Sequence, residues 1–319
     1  MLRSLLIYLS KAAWAQRIVT RWKFAWRVAS RFVAGETIES AIQVVRVLNS
    51  NGINATLDHL GEHTSTPEEA QKATEDILEL LDQINCCDVR ANVSIKLTQI
   101  GLGLDEGLVA NNLERILARA KKYKNFVRID MEDSPYTDRT ISLYRLMQQK
   151  GYDNTGLVVQ SCLFRTEADT KALLAEGACF RLVKGAYKEP PELAFPKKKD
   201  VDANFDLLTK IMIDYALTVG APTVSADGRI PPIPALGTHD AKRIEFGKQY
   251  AGKANYPKGA LEIQMLYGIR RDLQGQLAAD GFPVRVYIPY GTHWYPYFVR
   301  RLAERPANLW FFISNFLRK

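Results

Sequence analysis

Eight short, β-branched apolar runs, separated by longer stretches of helical period, constrain this chain more than any other feature. The runs are Ala55–Leu60, Asn92–Leu97, Phe126–Met131, Leu157–Ser161, Phe180–Lys184, Ala235–His239, Leu261–Leu266 and Val284–Pro289. Such alternation marks a parallel sheet with helical crossovers. Thr66-Pro67-Glu68-Glu69 joins an N-cap hydroxyl, a proline at the first helical position and a glutamate able to bond back, which is a capping box. Ala70, Ala73, Ile77, Leu80, Leu81 and Ile84 then keep one apolar helical face. Helices are also predicted near residues 36–50 and over Leu113–Tyr123, Arg139–Gln149, Glu167–Glu176, Val201–Val219 and Arg271–Ala279. Repeats of this kind predict an α/β fold, a (β/α)8 TIM-like barrel, with an open doubly wound sheet as the alternative. At 319 residues such a barrel fits one domain. The expected division is a basic, amphipathic N-terminal helical arm over residues 1–50 and a catalytic barrel over 51–319. Gly220–Pro234, rich in proline and glycine, reads as a surface excursion.

Charge is placed unevenly. Arg3, Lys11, Arg17, Arg21, Lys23, Arg27 and Arg31 occur in residues 1–35 without one acidic residue, so the arm carries most of the net charge of +8. Leu5, Leu6, Ile7, Trp14, Ile18, Trp22, Phe24, Trp26 and Phe32 interleave with them. Three readings remain open for this pattern: an arm packed on the body, peripheral contact with anionic lipid, or a nucleic-acid or targeting segment. Four cysteines without framework spacing suit a reducing compartment, and no apolar run is long enough to span a bilayer. The expected location is the cytoplasm, with peripheral contact at the inner face of its membrane as an option.

In a barrel, chemistry gathers where strands end. Polar residues fall there in number: Glu62 after the first run, Lys96, Asp130, Gln160, Arg181 and Lys184 before Gly185-Ala186-Tyr187, Thr238-His239-Asp240, and Tyr287. Any one of them reads equally well as a solvated rim charge. As buried cations, Arg181 and Lys184 would need anions, for which Asp130, Glu62 and a bound anion are the candidates. His59, His63, His239 and His293 have no metal-ligand spacing, so no metal is expected. Gly101-Leu102-Gly103-Leu104-Asp105-Glu106-Gly107 misses the dinucleotide fingerprint, and no P-loop or GxSxG motif occurs. The last segment, Trp294 to Asn308, puts Arg300 and Arg301 one turn into a helix, where two guanidinium groups can grip a carboxylate or simply be solvated.

Leu57-Asp58-His59-Leu60-Gly61-Glu62, Ser94-Ile95-Lys96-Leu97, Arg128-Ile129-Asp130-Met131-Glu132-Asp133, Val158-Val159-Gln160, Arg181 through Tyr187, Thr238-His239-Asp240, Glu262-Ile263-Gln264 and Tyr287 through Asn308 resemble the motifs of the monofunctional bacterial proline dehydrogenases, in family order. The resemblance implies a distorted barrel holding FAD at the strand C-termini under a final helix. It implies oxidation of L-proline to Δ1-pyrroline-5-carboxylate, the first step of proline catabolism to glutamate, with electrons passing to a membrane quinone. By the same resemblance Lys96, Arg300 and Arg301 would hold the substrate carboxylate, and Asp130 and Arg181 would be the polar catalytic residues. Tyr287 would pack beside the substrate ring, and Glu62 would pair with Arg300 as a gate. Met131, Gln160, Lys184, Gly185, Ala186, Thr238 and His239 would line the flavin. Gly237 stands where the family usually has alanine, a departure expected to loosen that strand end. Two other classes fit the residues alone: a lyase or aldolase using Lys96 or Lys184 as a Schiff-base amine, and a non-catalytic basic module.

Overall fold

A computed structural model describes residues 12–20 and 23–304. Among these residues the apolar runs become β1 (Asn54–His59), β2 (Ala91–Ile95), β3 (Val127–Ile129), β4 (Thr155–Gln160), β5 (Cys179–Val183), β6 (Ala235–Gly237), β7 (Glu262–Leu266) and β8 (Val284–Tyr290). All pair in parallel in sequence order, and β8 closes on β1 from Asn54↔Arg285 to His59↔Tyr290. The closed barrel removes the open-sheet alternative.

The helices before and between the strands are α1 (Ala13–Val19), α2 (Lys23–Ala29), α3 (Ile38–Ser50), α4 (Pro67–Cys86), α5 (Glu106–Lys122), α6 (Thr137–Gln149), α7 (Thr166–Ala175), α8 (Lys198–Thr218), α9 (Ala241–Lys253) and α10 (Arg271–Ala279). The final helix is α11 (Trp294–Glu304). At α4 the Thr66 hydroxyl accepts from Glu69 N–H, while the Glu69 carboxylate returns to Ser65 N–H, one residue outside the cap. α5 begins earlier than the periodicity predicts, because Asp105, in the glycine run, caps it by accepting from Leu108 N–H at 2.7 Å. The periodicity named no helix at α9. Its buried stripe is only Ile244, Gly247 and Ala251, and a Cβ on Gly247 would meet Leu236 Cδ1 at 2.8 Å, so close packing on β6 replaces a broad apolar face.

Alternation along the strands divides the core. Ala55, Leu57, Val93, Ile95, Val127, Ile129, Phe180, Leu182, Ile263, Met265, Val286 and Ile288 are buried in the main apolar cluster with the helices. α3 shares that cluster through Ala41, Ile42 and Val45. The opposite faces of the strands are polar: Thr56 bonds Asn92 on the neighbouring strand, and inside the barrel Arg181 on β5 reaches Ser94 on β2 and Gln264 on β7. The excursion Gly220–Pro234 closes the N-terminal mouth, since Asn92 donates to Arg229 O at 2.8 Å and Arg285 to Gly228 O at 2.8 Å.

A second cluster lies at the other mouth. Ala25, Val28, Ala29, Phe32 and Val33 pack with Trp294, Tyr295, Tyr297, Phe298, Val299 and Leu302 of α11. Trp26 and Trp294 rings sit 5.3 Å apart, and the Trp294 indole N–H donates to Glu36. The described part of the arm is therefore a brace for α11, although Trp14 stays 58% exposed. Arg3, Lys11, Leu5, Leu6, Ile7, Arg21 and Trp22 lie outside the described residues, as do residues 305–319 with the end of the last motif.

Candidate active site

Ends of β1, β2 and β3 converge with β5, β8 and α11 on one cluster of charges. Lys96, one residue past β2, lies 3.1 and 3.2 Å from the two oxygens of Asp58 on β1. Its Nζ is also 3.6 Å from Glu62, 3.8 Å from Asp130 and 3.4 Å from the Tyr287 hydroxyl. Asp130 forms an ion pair with Arg181, accepts from the Tyr287 hydroxyl at 2.7 Å and from the Ser94 hydroxyl at 3.0 Å. The Arg181 guanidinium lies 5.2 Å from the Tyr287 ring centroid. Arg300 of α11 reaches down to Glu62 at 2.8 Å.

The cluster therefore balances three cations (Lys96, Arg181, Arg300) against three carboxylates (Asp58, Glu62, Asp130), as burial demands. Burial alone would depress the Lys96 ammonium, but Asp58, Glu62 and Asp130 outweigh it and hold it above its ordinary range. Burial lifts Asp58 to about 6 despite the pull of Lys96, with Asp130 and Glu62 adding repulsion. Glu62 goes the other way: burial opposes its ionisation, and Lys96 and Arg300 together more than compensate. The Tyr287 phenol is pushed well up by burial and by Asp130.

Six residues singled out from the sequence, Glu62, Lys96, Asp130, Arg181, Tyr287 and Arg300, thus meet in one place. Arg301, next on α11, carries its guanidinium 5.2 Å from the Tyr297 ring centroid. Lys184 departs from expectation. It lies beyond β5 rather than within it, and its anions are Asp202 of α8 and Asp240, not Glu62. Asp58 is the residue that sequence reasoning left without a role, although it is 1% exposed and makes the shortest ion pair of Lys96. Its signal was the two-residue period of polar positions, Asn54-Thr56-Asp58 beside Asn92-Ser94-Lys96.

Around this cluster lies the second group of expected residues. Met131 and Gln160 are buried, and the Gln160 amide donates to Glu132 O at 2.9 Å. Gly185 has φ +106°, and a Cβ there would meet Cys162 Sγ at 2.3 Å and Gln160 Oε1 at 3.1 Å, so only bare backbone fits at this position, which Ala186 follows. Thr238 accepts from Asp240 N–H, and His239 Nε2 accepts from Leu266 N–H at 2.9 Å, which fixes that ring nitrogen as unprotonated. Gly237 does not loosen the strand end: a Cβ would meet Val183 Cγ1 at 2.8 Å, while Thr238 N–H still bonds Gln264 O. Among the described residues no group of three or more His, Cys, Asp or Glu side chains could hold a metal, and no helix is long and apolar enough to cross a membrane.

Known proteins resemble this chain in sequence and in fold. The sequence profile of the family described as Proline dehydrogenase matches residues 41–313. Proline dehydrogenase 1 of Bacillus subtilis subsp. natto is 40% identical over 322 residues, covering 100% of both chains. The Proline dehydrogenase of Deinococcus radiodurans is 41% identical over 297 residues, 92% of this chain and 91% of that one. Among solved structures, proline utilization A (PutA) of Bdellovibrio bacteriovorus inactivated by N-propargylglycine superposes with a TM-score of 0.78 at 26% identity. That match covers 88% of this chain and 33% of the longer protein. The match of both sequence and barrel, extending through every strand that supplies the charged cluster, makes this chain a member of the proline dehydrogenase family.

Proposed function

We propose that the chain oxidises L-proline to Δ1-pyrroline-5-carboxylate, the first step of proline catabolism to glutamate, with FAD at the C-terminal mouth of the barrel and a quinone as electron acceptor. One observation carries the substrate reading. The Glu62 carboxylate sits between Arg300 at 2.8 Å and Lys96 at 3.6 Å, as the carboxylate of a small amino acid would once Glu62 has withdrawn. With Glu62 withdrawn, the cluster keeps the cations Lys96, Arg181 and Arg300 against Asp58 and Asp130, an excess of one positive charge that the carboxylate of a proline with a neutral amine cancels.

The mouth residues fit a flavin: an amide at Gln160, bare backbone at Gly185, where a side chain has no room, and the Arg181 guanidinium. Met131, Gln160, Lys184, Gly185, Ala186, Thr238 and His239 would hold it. Bound there, FAD supplies a two-electron acceptor that no side chain offers. The chain's own residues do the rest. Arg300, Arg301 and Lys96 clamp the carboxylate and so fix the pyrrolidine ring in one orientation. Tyr287, tethered through its hydroxyl to Asp130, bounds that ring. Arg181, held by Asp130, presents a fixed cation where negative charge develops. The substrate nitrogen is neutral when oxidation occurs, because an ammonium opposes the developing iminium.

Purified protein should be yellow, and its flavin absorbance should bleach when L-proline is added anaerobically. A folded protein that takes up no FAD would sink the reading. A soluble quinone should restore the colour of the bleached enzyme. The basic residues 1–35 suit peripheral contact with an anionic membrane surface at the cytoplasmic face, where such a quinone resides. Full-length chain should float with anionic vesicles at low salt and less at high salt, and Trp14→Ser with Arg17→Glu should weaken flotation. Flotation indifferent to both changes removes the membrane contact.

A further inference from the structure

Glu262-Ile263-Gln264 belongs to no step so far, yet its two polar side chains point into the barrel. The Gln264 amide is held at both ends. Its oxygen accepts from Arg181 Nη1 at 3.2 Å, and its nitrogen donates to Glu262 Oε1 at 2.5 Å. Glu262 is in turn gripped by Arg285 through two bonds, Nε to Oε1 at 2.9 Å and Nη2 to Oε2 at 3.0 Å. Glu262 is 0% exposed and Arg285 1%. Arg285 also donates to the backbone oxygens of Ala55 and Gly228.

A carboxylate paired with a guanidinium can only accept. It therefore admits the NH2 end of the Gln264 amide and turns the oxygen toward Arg181. Without Glu262 the amide is free to rotate half a turn, which would set NH2 against a guanidinium. Arg181 has its remaining bonds at the opposite side, to Ser94 at 3.1 Å and to Asp130. Gln264 thus decides the tilt of the guanidinium about that second anchor, and Tyr287 lies against its face.

We propose that Gln264 is a positioning residue for Arg181, and that the buried Glu262–Arg285 pair sets the orientation in which Gln264 works. The chain runs along the barrel axis from the plugged N-terminal mouth to the reacting centre, so the closed end of the barrel helps to set the geometry of the open end. This inference rests on the reading of Arg181 given under Proposed function.

The test uses the FAD-loaded full chain. Gln264→Met removes the acceptor but keeps the Glu262–Arg285 pair, so the fold should persist. Anaerobic bleaching at saturating L-proline should slow about tenfold or more, with KM changed by less than about threefold, and the flavin midpoint potential should move with it. In an Arg181→Met background the same replacement should add almost nothing. The double replacement Glu262→Gln with Arg285→Met, which leaves no buried charge unpaired, should slow bleaching when Gln264 is present and not when it is Met. Parent-like bleaching in Gln264→Met, an equal loss with and without Arg181, or loss of flavin from the folded variant would each overturn the proposal. A parent enzyme that L-proline does not bleach refutes the function itself, before any variant is made.

Discussion

At Lys96 one ammonium serves three carboxylates and a phenol, and the outcome of that competition sets the chemistry of the site. Asp58 loses most in it, because it is fully enclosed. Its folded value of about 6 exceeds its ordinary 3.8, so the folded state binds the proton more tightly than the unfolded chain does. That contribution to stability is complete below about pH 4 and lost as pH rises through about 6. Asn cannot ionise, so the unfolding free energy of the parent minus that of Asp58→Asn should fall across this window in urea titrations. A difference that stays flat contradicts the assignment. Arg300→Met removes a charge-assisted bond worth about 1.5–3 kcal/mol and should raise KM for L-proline about 10–100-fold, with flavin content unchanged. Both effects belong to single side chains. The charged residues at strand ends were visible in the sequence as types and positions, but which carboxylate would serve Lys96 and which Lys184 depends on how neighbouring strands and helices face each other. Asp240, 2.6 Å from Lys184 and pulled to about 2 against its burial, illustrates the point: it lies after β6, remote in sequence from the lysine it serves.

Elements behave differently, because their ends carry local signals. Thr66, Asp105 and Asp240 each cap the helix that follows by accepting from a backbone N–H, and each was there to be read. What an element packs against is not local. α11 carries Arg300 and Arg301, and the apolar face that steadies it comes from residues 25–33 at the other end of the chain. Phe32 is buried in this interface, and Phe32→Ala should cost about 3 kcal/mol of stability at that contact. The site consequence should be a raised KM for L-proline with flavin retained, measured by steady-state kinetics beside thermal unfolding. Unchanged kinetics would show that α11 keeps its place without the brace. The same packing explains why the aromatic stripe of the arm suggested lipid: a stripe is equally apolar whether it meets a helix or a bilayer.

For the molecule as a whole, the barrel interior is the unusual part. TIM barrels generally fill with branched aliphatic layers, whereas here Asn92, Ser94, Arg128, Arg181, Glu262, Gln264 and Arg285 occupy buried positions along the strands. Such groups need partners at every level, and the excursion 220–234 supplies them at the closed end through Gly228 O and Arg229 O. Gly228 has φ +70°, and a Cβ there would meet Asn54 Oδ1 at 2.4 Å. Gly228→Ala should therefore lower stability by about 1–3 kcal/mol in chemical denaturation. Stability equal to the parent would mean that the plug is not under this constraint.

The closure of β8 on β1 decided the barrel over the open sheet, but the amino-acid sequence by itself determined the strand order, most of the helices, and the strand-end positions from which charged residues could act. These follow from periodicity, capping and the alternation of side chains, all of which act within a few residues along the chain. Only the tertiary structure decided that Asp58 is the counter-ion of Lys96, that Lys184 belongs to Asp202 and Asp240, and that the basic arm braces the last helix. Partners in a barrel are chosen by register and closure across strands far apart in sequence, and the polar alternation along each strand shows which residues face inward but not which of them pair.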